Sequence, residues 1–135
     1  MGARNCQELG TNLQKICSRL LANTELVKLL YYTELDPLSC EELTEEEKRS
    51  KIFNELICVV PRVGARDDSK SVIAVYIPKV SSTSNSEFKN VTIAIDVFVP
   101  LTHWIIKDSN LRPFAIMGEI QKSLVGKTIN GLGKI

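Results

Sequence analysis

The chain has 135 residues, a length that fits one domain and can bury a core without disulfides or a metal. Hydrophobic residues make up 44% and charged residues 24%, which is ordinary globular usage and excludes a disordered chain. The 17 basic and 16 acidic residues give a net charge of +1, so composition predicts no general attraction to nucleic acid or anionic lipid.

Cysteine usage and hydropathy indicate the compartment. The cysteines form no C-x-x-C pair and lie far in sequence from the single histidine, which suits neither a zinc site nor a disulfide framework. They are Cys6, Cys17, Cys40 and Cys58. We expect free thiols in a reducing compartment. The N-terminus lacks the apolar core of a signal peptide and no run of 18 apolar residues occurs, so we expect no membrane span.

Residues 1–56 are predicted to be mainly helical. The first helix carries apolar residues at the i, i+4, i+7 spacing of an amphipathic stripe, from Leu9 to Leu21. A second helix starts with Thr24 as its cap. It ends before Asp36-Pro37, because the residue that precedes a proline is driven out of the α region.

A capping box marks the start of a third helix, predicted over 43–56. Thr44 and Glu47 have the T-x-x-E spacing in which each side chain can bond the other residue's backbone N–H. Three consecutive acids begin this helix, where the helix dipole favours negative charge, and basic residues follow.

Charge is distributed unevenly along the chain. The stretch 34–47 contains seven acids and no base, whereas 107–135 contains five bases and two acids. One interpretation is a solvated acidic helix start with a mildly basic tail. The other is a dipolar subunit whose acidic edge meets a neighbour's basic edge, which favours head-to-tail association.

Apolar alternation with a period of two predicts a β-sheet over 57–101. Pro61 and Pro78 fall inside its first two runs and suit edge or irregular positions, because proline cannot donate to a strand ladder. The polar, serine-rich segment 81–90 is predicted as a flexible loop. The strands on either side of it should therefore form a hairpin.

The strand after this loop has the clearest alternation in the chain. Its apolar row comprises Val91, Ile93, Ile95, Val97, Val99 and Leu101, and its opposite row comprises Thr92, Ala94, Asp96 and Phe98. The acid in the opposite row, Asp96, is interpreted as half-solvated or, alternatively, as one side of a salt bridge between subunits.

A helix over 113–125 is predicted to cover that apolar row. Its stripe comprises Phe114, Ile116, Met117, Ile120, Leu124 and Val125. Pro113 suits a first helical position, and Gly126 suits the position just past the helix end. Arg112 offers no side-chain acceptor for capping, so packing leaves it unexplained, and we assign it to contact with a neighbouring subunit.

These elements predict one domain, 1–135, of the α+β class. It consists of N-terminal helices, an antiparallel β-sheet of three to four strands, and a C-terminal helix packed on the sheet. Such a sheet has edges that can accept a strand from a neighbour, so oligomerisation is physically available.

No complete catalytic or cofactor signature occurs in the sequence. Gly126-Lys127-Thr128 is similar to the end of a P-loop, but that motif requires a glycine where this chain has Gln121. His103 has no recognisable nucleophile motif to accompany it. The sequence therefore predicts no enzyme activity, no cofactor and no metal site.

Four segments carry a family resemblance. They are LVKLLYYTELDPLS (26–39), LTEEEKRSKI (43–52), VTIAIDVFVP (91–100) and LRPFAIMGEIQKSLVGKTINGLG (111–133). In this order they resemble the tail-completion and head–tail joining proteins of tailed bacteriophages. The resemblance covers most of 13–133 and is one of pattern and order. Its most telling residues are Tyr31, Tyr32, Asp36-Pro37-Leu38, Arg112-Pro113 and Gly131-Leu132-Gly133.

The resemblance implies a non-enzymatic virion subunit that forms rings of six or twelve copies at the phage neck. Such a ring, made in the host bacterial cytoplasm, terminates the tail tube or joins the tail to the head connector. Its partners are further copies and other neck, tail-tube or connector proteins. DNA passes through it without sequence-specific binding, and no membrane is involved. The open alternative is a small cytoplasmic protein-binding module unrelated to virions.

Five residues are predicted to contribute to the subunit interface, namely Tyr31, Asp36, Asp96, Trp104 and Arg112. Three of them belong to the most telling residues of the resemblance. The other two are the acid of the alternating strand and the chain's only tryptophan.

Overall fold

The computed structural model describes residues 2–3, 6–59, 69–82, 89–126, 128–129 and 133–134, with side chains over 9–59, 69–78 and 92–126. In these ranges the helices are α1 (Cys6–Leu21), α2 (Thr24–Tyr31), α3 (Glu45–Glu47) and α4 (Arg112–Leu124). A π-helical turn, Lys48–Ile52, continues α3, and 3-10 turns occupy Pro37–Ser39, Leu101–His103 and Lys107–Ser109. The strands are β1 (Gly2–Ala3), β2 (Ile57–Cys58), β3 (Val72–Ser82), β4 (Lys89–Phe98), β5 (Ile105–Ile106), β6 (Asn110–Leu111), β7 (Thr128–Ile129) and β8 (Gly133–Lys134).

One sheet of four strands organises the fold, in the order β1-β4-β3-β2. The long strands β3 and β4 are antiparallel, and Val72 lies opposite Phe98. The pairs β5–β6 and β7–β8 form separate two-stranded ribbons. With α4 in contact with α1, α2 and β4, the predicted α+β class is confirmed.

The expectation of a purely antiparallel sheet is wrong, because β2 runs parallel to β3, with Ile57 opposite Ile73. A parallel pair requires a connection of about a dozen residues or more to return the chain to the same end of the sheet. The segment 59–71 between the two strands is long enough for that return.

The helices and the sheet enclose one hydrophobic core. From α1 it takes Ile16, Cys17 and Leu20, which confirms the predicted amphipathic stripe. The larger set of buried side chains comes from α2, β2, β3 and α4, and includes Leu26, Val27, Leu29, Leu30, Ile57, Val72, Ile73, Val75, Ile116, Ile120 and Leu124. Both Tyr31 and Tyr32 pack against this core.

Three of the four cysteines have described side chains, and none of these three forms a disulfide. They are Cys17, Cys40 and Cys58, and the side chain of Cys6 lies outside the described residues. Burial, with a smaller contribution from the nearby Cys58, raises the pKa of Cys17 to about 11. The Cys17 thiol is therefore protonated at neutral pH and behaves as a small apolar side chain.

The start of α2 is capped by Asn23 rather than by Thr24. The Asn23 side-chain oxygen accepts the Leu26 N–H at 3.1 Å, while its amide nitrogen donates to Ser123 Oγ at 2.9 Å and to the carbonyl oxygen of Glu119. Asparagine and threonine can both cap a helix, so the local sequence alone did not distinguish Asn23 from Thr24. The contacts of the amide group with α4 favour asparagine at this position.

The predicted capping box of the third helix is confirmed, but the helix is shorter than 43–56. It turns into the π-helical segment at Lys48 and ends at Ile52. Asn54 then takes a left-handed conformation with φ 63°, and Phe53 bridges to Ile57. The chain leaves the helix because this turn directs it into β2, and asparagine tolerates that conformation better than most residues.

Thr44→Ala should lower the free energy of unfolding by about 1 kcal/mol. The Glu47 N–H, which donates to Thr44 Oγ1 at 3.1 Å, would lose its acceptor. Urea denaturation measures the effect, and Thr102→Ala, at an exposed threonine of the turn after β4, is the matched control. Equal stability of the two variants would contradict a role for the box.

The same box should make stability sensitive to acid. Hydrogen bonds from the Thr44 backbone N–H and hydroxyl lower the pKa of Glu47 below its ordinary value of 4.5. A carboxylate whose pKa is lower in the folded than in the unfolded protein stabilises the fold at pH values above its unfolded pKa. This stabilisation is lost as the pH falls through the pKa of the folded protein. The stability difference between the wild type and Glu47→Gln should therefore shrink in urea denaturation below pH 4.5. A difference that does not change with pH would rule this contribution out.

The predicted hairpin on either side of the serine-rich segment is confirmed by β3 and β4. The strands continue to Ser82 and resume at Lys89, which shortens the predicted loop 81–90, and 83–88 lie outside the described residues. The register of β3 on β4 shifts between Tyr76 and Lys79, so Pro78 sits at an irregular point, as predicted. Most of the first predicted run, including Pro61, lies outside the described residues.

The C-terminal helix keeps its predicted end but buries a narrower face than predicted. Gly126 has φ 75° just past the helix, which confirms its terminating role. Ile116, Ile120 and Leu124 are buried. Phe114, Met117 and Val125, however, are 60%, 40% and 63% exposed, so their assignment to the covering face is wrong.

Candidate interaction surface

Arg112 is the most deeply buried charged group among the described side chains, with 1% of its surface exposed. Its Nη1 donates to the carbonyl oxygens of Leu29 and Tyr32, its Nη2 to that of Glu34, and its Nε to that of His103, all at 2.5–3.0 Å. The first two acceptors are orphan carbonyls at the C-terminal end of α2, which no intrahelical N–H can satisfy. Arg112 therefore ties the end of α2 to the start of α4.

This geometry gives Arg112 the role that the sequence left unexplained. The residue is the first of α4, and the cap position belongs to Leu111, whose side chain makes no capping bond. With its surface buried inside its own chain, Arg112 presents almost nothing to a neighbour. Burial lowers the pKa of Arg112 while the Glu34 carboxylate opposes that shift, and a guanidinium in a protein remains charged.

Trp104 and Asp36 lie beside this junction, on the surface side. The Arg112 N–H donates to the carbonyl of Trp104 at 2.6 Å, and the Trp104 indole Nε1 donates to the carbonyl of Val99 at 2.9 Å. Asp36 forms an ion pair with Lys107 at 3.3 Å. Three of the predicted residues thus meet where the loop after α2 contacts the segment after β4.

Tyr31 lies at the end of α2 and lines a separate cleft. Its ring packs edge-on against Tyr32 with centroids 5.1 Å apart, and Lys51 Nζ lies 3.4 Å from its hydroxyl. The cleft has a volume of about 470 Å³ and includes Glu55 and Ser71. The side chains around it are mixed in polarity, from Leu30 and Leu56 to Lys51 and Glu55.

Asp96 is apart from the other four candidates, on the outer face of β4. Its Oδ2 accepts the Tyr76 hydroxyl at 3.0 Å, a diagonal contact across the β3–β4 pair. This hydrogen bond raises the pKa of Tyr76. The residue is half-buried, in agreement with the half-solvated interpretation of this face.

An exposed apolar surface adjoins the junction, and sequence reasoning missed it. On the β5–β6 ribbon, Ile105 lies opposite Leu111, and both are exposed while Ile106 is buried beneath them. The next exposed large apolar residues along the chain are Phe114 and Met117, both on α4. We call the set Phe114, Met117, Gln121 and Val125 the outer stripe of α4.

A sequence signal for the outer stripe existed. The predicted apolar stripe of α4 spanned about half of the helix circumference, wider than the ~100° stripe that faces the core in a typical surface helix. The apolar residues furthest from Ile116 around the helix are Phe114 and Val125, and these are exposed. An over-wide stripe is thus a sign of a second apolar face.

An apolar cleft at the end of β4 lies at the same junction. It has a volume of about 540 Å³ and is lined by Val97, Phe98, Val99, Pro100, Leu101, Thr102, Trp104 and Lys70. Leu101 is 83% exposed in the 3-10 turn, so its assignment to the inner row of the strand is wrong.

Among the described side chains, no group of three His, Cys, Asp or Glu residues is placed to hold a metal. No helix in the described ranges has the length and apolarity needed to cross a membrane.

These features define a small α+β protein with an exposed apolar surface. The family model YomW matches residues 23–135, so the chain belongs to the YomW family. That name is phage-derived and of the SPbeta type, and the chain is accordingly a phage-associated protein. No curated protein and no solved structure matches the chain.

Proposed function

We propose that this phage-associated chain is a non-enzymatic structural protein of the virion. In this proposal it is a ring-forming subunit at the phage neck that terminates the tail tube or joins the tail to the head connector. The observation that carries the proposal is the exposed apolar surface of the β5–β6 ribbon and α4. A monomeric soluble protein rarely exposes so many neighbouring large apolar side chains, because each one costs free energy in water.

The charge distribution supports contact with other proteins rather than a tight grip on DNA. The exposed acids of the acidic segment include Glu41, Glu42 and Glu46. Around α4, in contrast, the charges are internally paired, since Lys122 bonds Glu119 at 3.0 Å and Lys107 bonds Asp36. With a net charge of +1, a ring of such subunits would let DNA pass without sequence-specific binding.

The partners in this proposal are further copies of the chain and other neck, tail-tube or connector proteins. Asp36 and Trp104 are the predicted interface residues best placed for such contacts, because both lie at the partly exposed junction beside the apolar surface. The protein would be made in the host cytoplasm and would function in the assembled virion.

The test is to incubate the purified protein with tail tubes and connectors from the same phage and to image the products by electron microscopy. We expect rings seated on one of the two, and the chain should also be detected in purified virions by mass spectrometry. Absence from virions, together with no binding to tube or connector, would overturn the proposal. A defined ligand outside the virion would then favour the protein-binding module.

A further inference from the structure

Among the residues that the structure describes, the outer edge of β4 is unpaired along most of its length. There, β1 pairs with β4 only at Lys89 and Asn90, and β3 occupies the other side. In these ranges the stretch 92–97 therefore has a strand neighbour on one side alone. Its outward-pointing N–H and C=O groups are available to pair with another strand.

Residues 92–97 contain no lysine and no proline, two residue types that block strand addition at an edge. In β3 both occur, as Pro78 and Lys79, beyond the two residues that β2 covers. The single charge of 92–97, Asp96, is bonded to Tyr76 within the chain. The register shift of the β3–β4 pair takes its extra residue from β3, so β4 itself has no bulge there.

The inner row of β4 is only partly covered by its own chain. Ile93, Ile95 and Val97 pack against the core yet remain half-buried. A half-exposed row of β-branched residues along an open edge is what remains when the next strand of a sheet is missing. An added strand would complete the backbone pairing and bury this row at once.

The outer stripe of α4 lies on the side of that helix that faces away from α2. Glu119 and Ser123 face the start of α2, since both side chains accept hydrogen bonds from Asn23. With ~100° between successive residues, Phe114 and Gln121 lie on the opposite side of the helix. The same helix contacts β4, the strand with the open edge.

Gly118 borders the outer stripe, and a Cβ atom added there would meet nothing within 4 Å among the residues that the structure describes. Glycine in the middle of a helix is less favourable than alanine by about 1 kcal/mol. A close approach by a second helix would give this glycine a function.

We propose that two copies of this chain pair through β4, antiparallel across a two-fold axis, and that their α4 outer stripes face one another across the same axis. A two-fold axis makes identical edges self-complementary, so β4 itself supplies the strand that the open edge lacks. One contact then accounts for the open edge, the half-exposed inner row and the outer stripe.

The register of the two β4 strands is fixed by placing the two copies of Ile95 opposite each other at the two-fold axis. It places Val97 opposite the partner's Ile93, so that the inner rows form one continuous apolar row. Asp96 then lies opposite the partner's Ala94, which keeps the two carboxylates apart. Like charges directly opposite each other would oppose pairing, and this register avoids them.

The inference does not rest on the proposed function. A pair closed by its own two-fold axis differs from the head-to-tail contact of a ring. We assign the pair to the free protein before assembly, where it covers an edge that would otherwise invite aggregation.

Charge substitutions at position 94 test this register, with self-association measured by sedimentation equilibrium. The wild type should form a two-copy species. Ala94→Asp creates two like-charge pairs with Asp96 across the axis and should weaken association by roughly tenfold or more. Ala94→Lys creates opposite-charge pairs and should keep the dimer, while Gln14→Asp, at an exposed position of α1, should leave association unchanged.

A second variant tests the helix contact. Phe114→Ser removes apolar surface from the outer stripe and should weaken association without lowering the melting temperature of the subunit. A wild type that stays monomeric, or a dimer that Ala94→Asp and Phe114→Ser leave intact in folded protein, would overturn the proposal. Tail-tube and connector binding is scored separately, so failure of the dimer and failure of the neck function give different results.

Discussion

Replacing Arg112 with methionine is expected to lower the free energy of unfolding by ~3–5 kcal/mol. Methionine can fill much of the same volume, but it cannot donate to the four carbonyls that now bond the guanidinium. Leaving buried acceptors without donors costs more than the bonds contribute when they form, because each acceptor was removed from water on folding. Urea denaturation followed by circular dichroism measures the loss.

Arg112→Lys and Arg19→Met are the informative controls. Lysine keeps the charge but lacks the planar fork, so it should recover only part of the lost stability. Arg19 is exposed and donates a single bond, from Nε to the carbonyl of Ser123 at 3.3 Å, so its replacement should cost less than ~1 kcal/mol. Equal costs at positions 19 and 112 would show that the guanidinium does not hold α2 to α4.

The second large effect is expected on the buried face of α4. Ile116 is fully buried, and Ile116→Ala should lower the free energy of unfolding by ~2–5 kcal/mol through lost burial and a cavity. Met117→Ala, one residue further on, should cost less than ~1 kcal/mol because that side chain is 40% exposed in the subunit. Both variants are compared by urea denaturation at a protein concentration below that of self-association.

The comparison of these two variants tests the orientation of the helix directly. The sequence predicted that both residues cover the sheet, whereas the structure separates them onto different faces. If Met117→Ala proved as costly as Ile116→Ala, the outer stripe would be part of the core and not an exposed surface. A small effect at Met117 combined with weaker self-association would support its place at a contact between copies.

Local patterns were enough to predict much of the fold. The stripe of α1, the Thr44–Glu47 box, the β3–β4 hairpin and the terminating Gly126 each depend on residues close together in sequence, and the structure confirms them. The predictions that were wrong depend on contacts between distant parts of the chain. The third helix ends early because Asn54 turns the chain toward β2, and the parallel pairing of β2 depends on a distant strand.

The candidate site was harder to predict, because its main contacts join distant parts of the chain. The carbonyls that Arg112 binds on α2 and the loop after it lie 83, 80 and 78 residues earlier. No local rule connects residues so far apart, so an arginine without a capping role was assigned to a neighbour. The outer stripe was missed for a different reason, since the wide apolar stripe of α4 was interpreted as one buried face although its width indicated a second one.

The span of the Arg112 contacts also limits the order in which the protein can complete its fold during synthesis. A chain leaves the ribosome from its N-terminus, so the end of α2 emerges long before the side chain that satisfies its carbonyls. Until Arg112 follows, those carbonyls must remain bonded to water, and the end of α2 lacks its contact with α4. The junction between these two helices therefore forms only after Arg112 has been made.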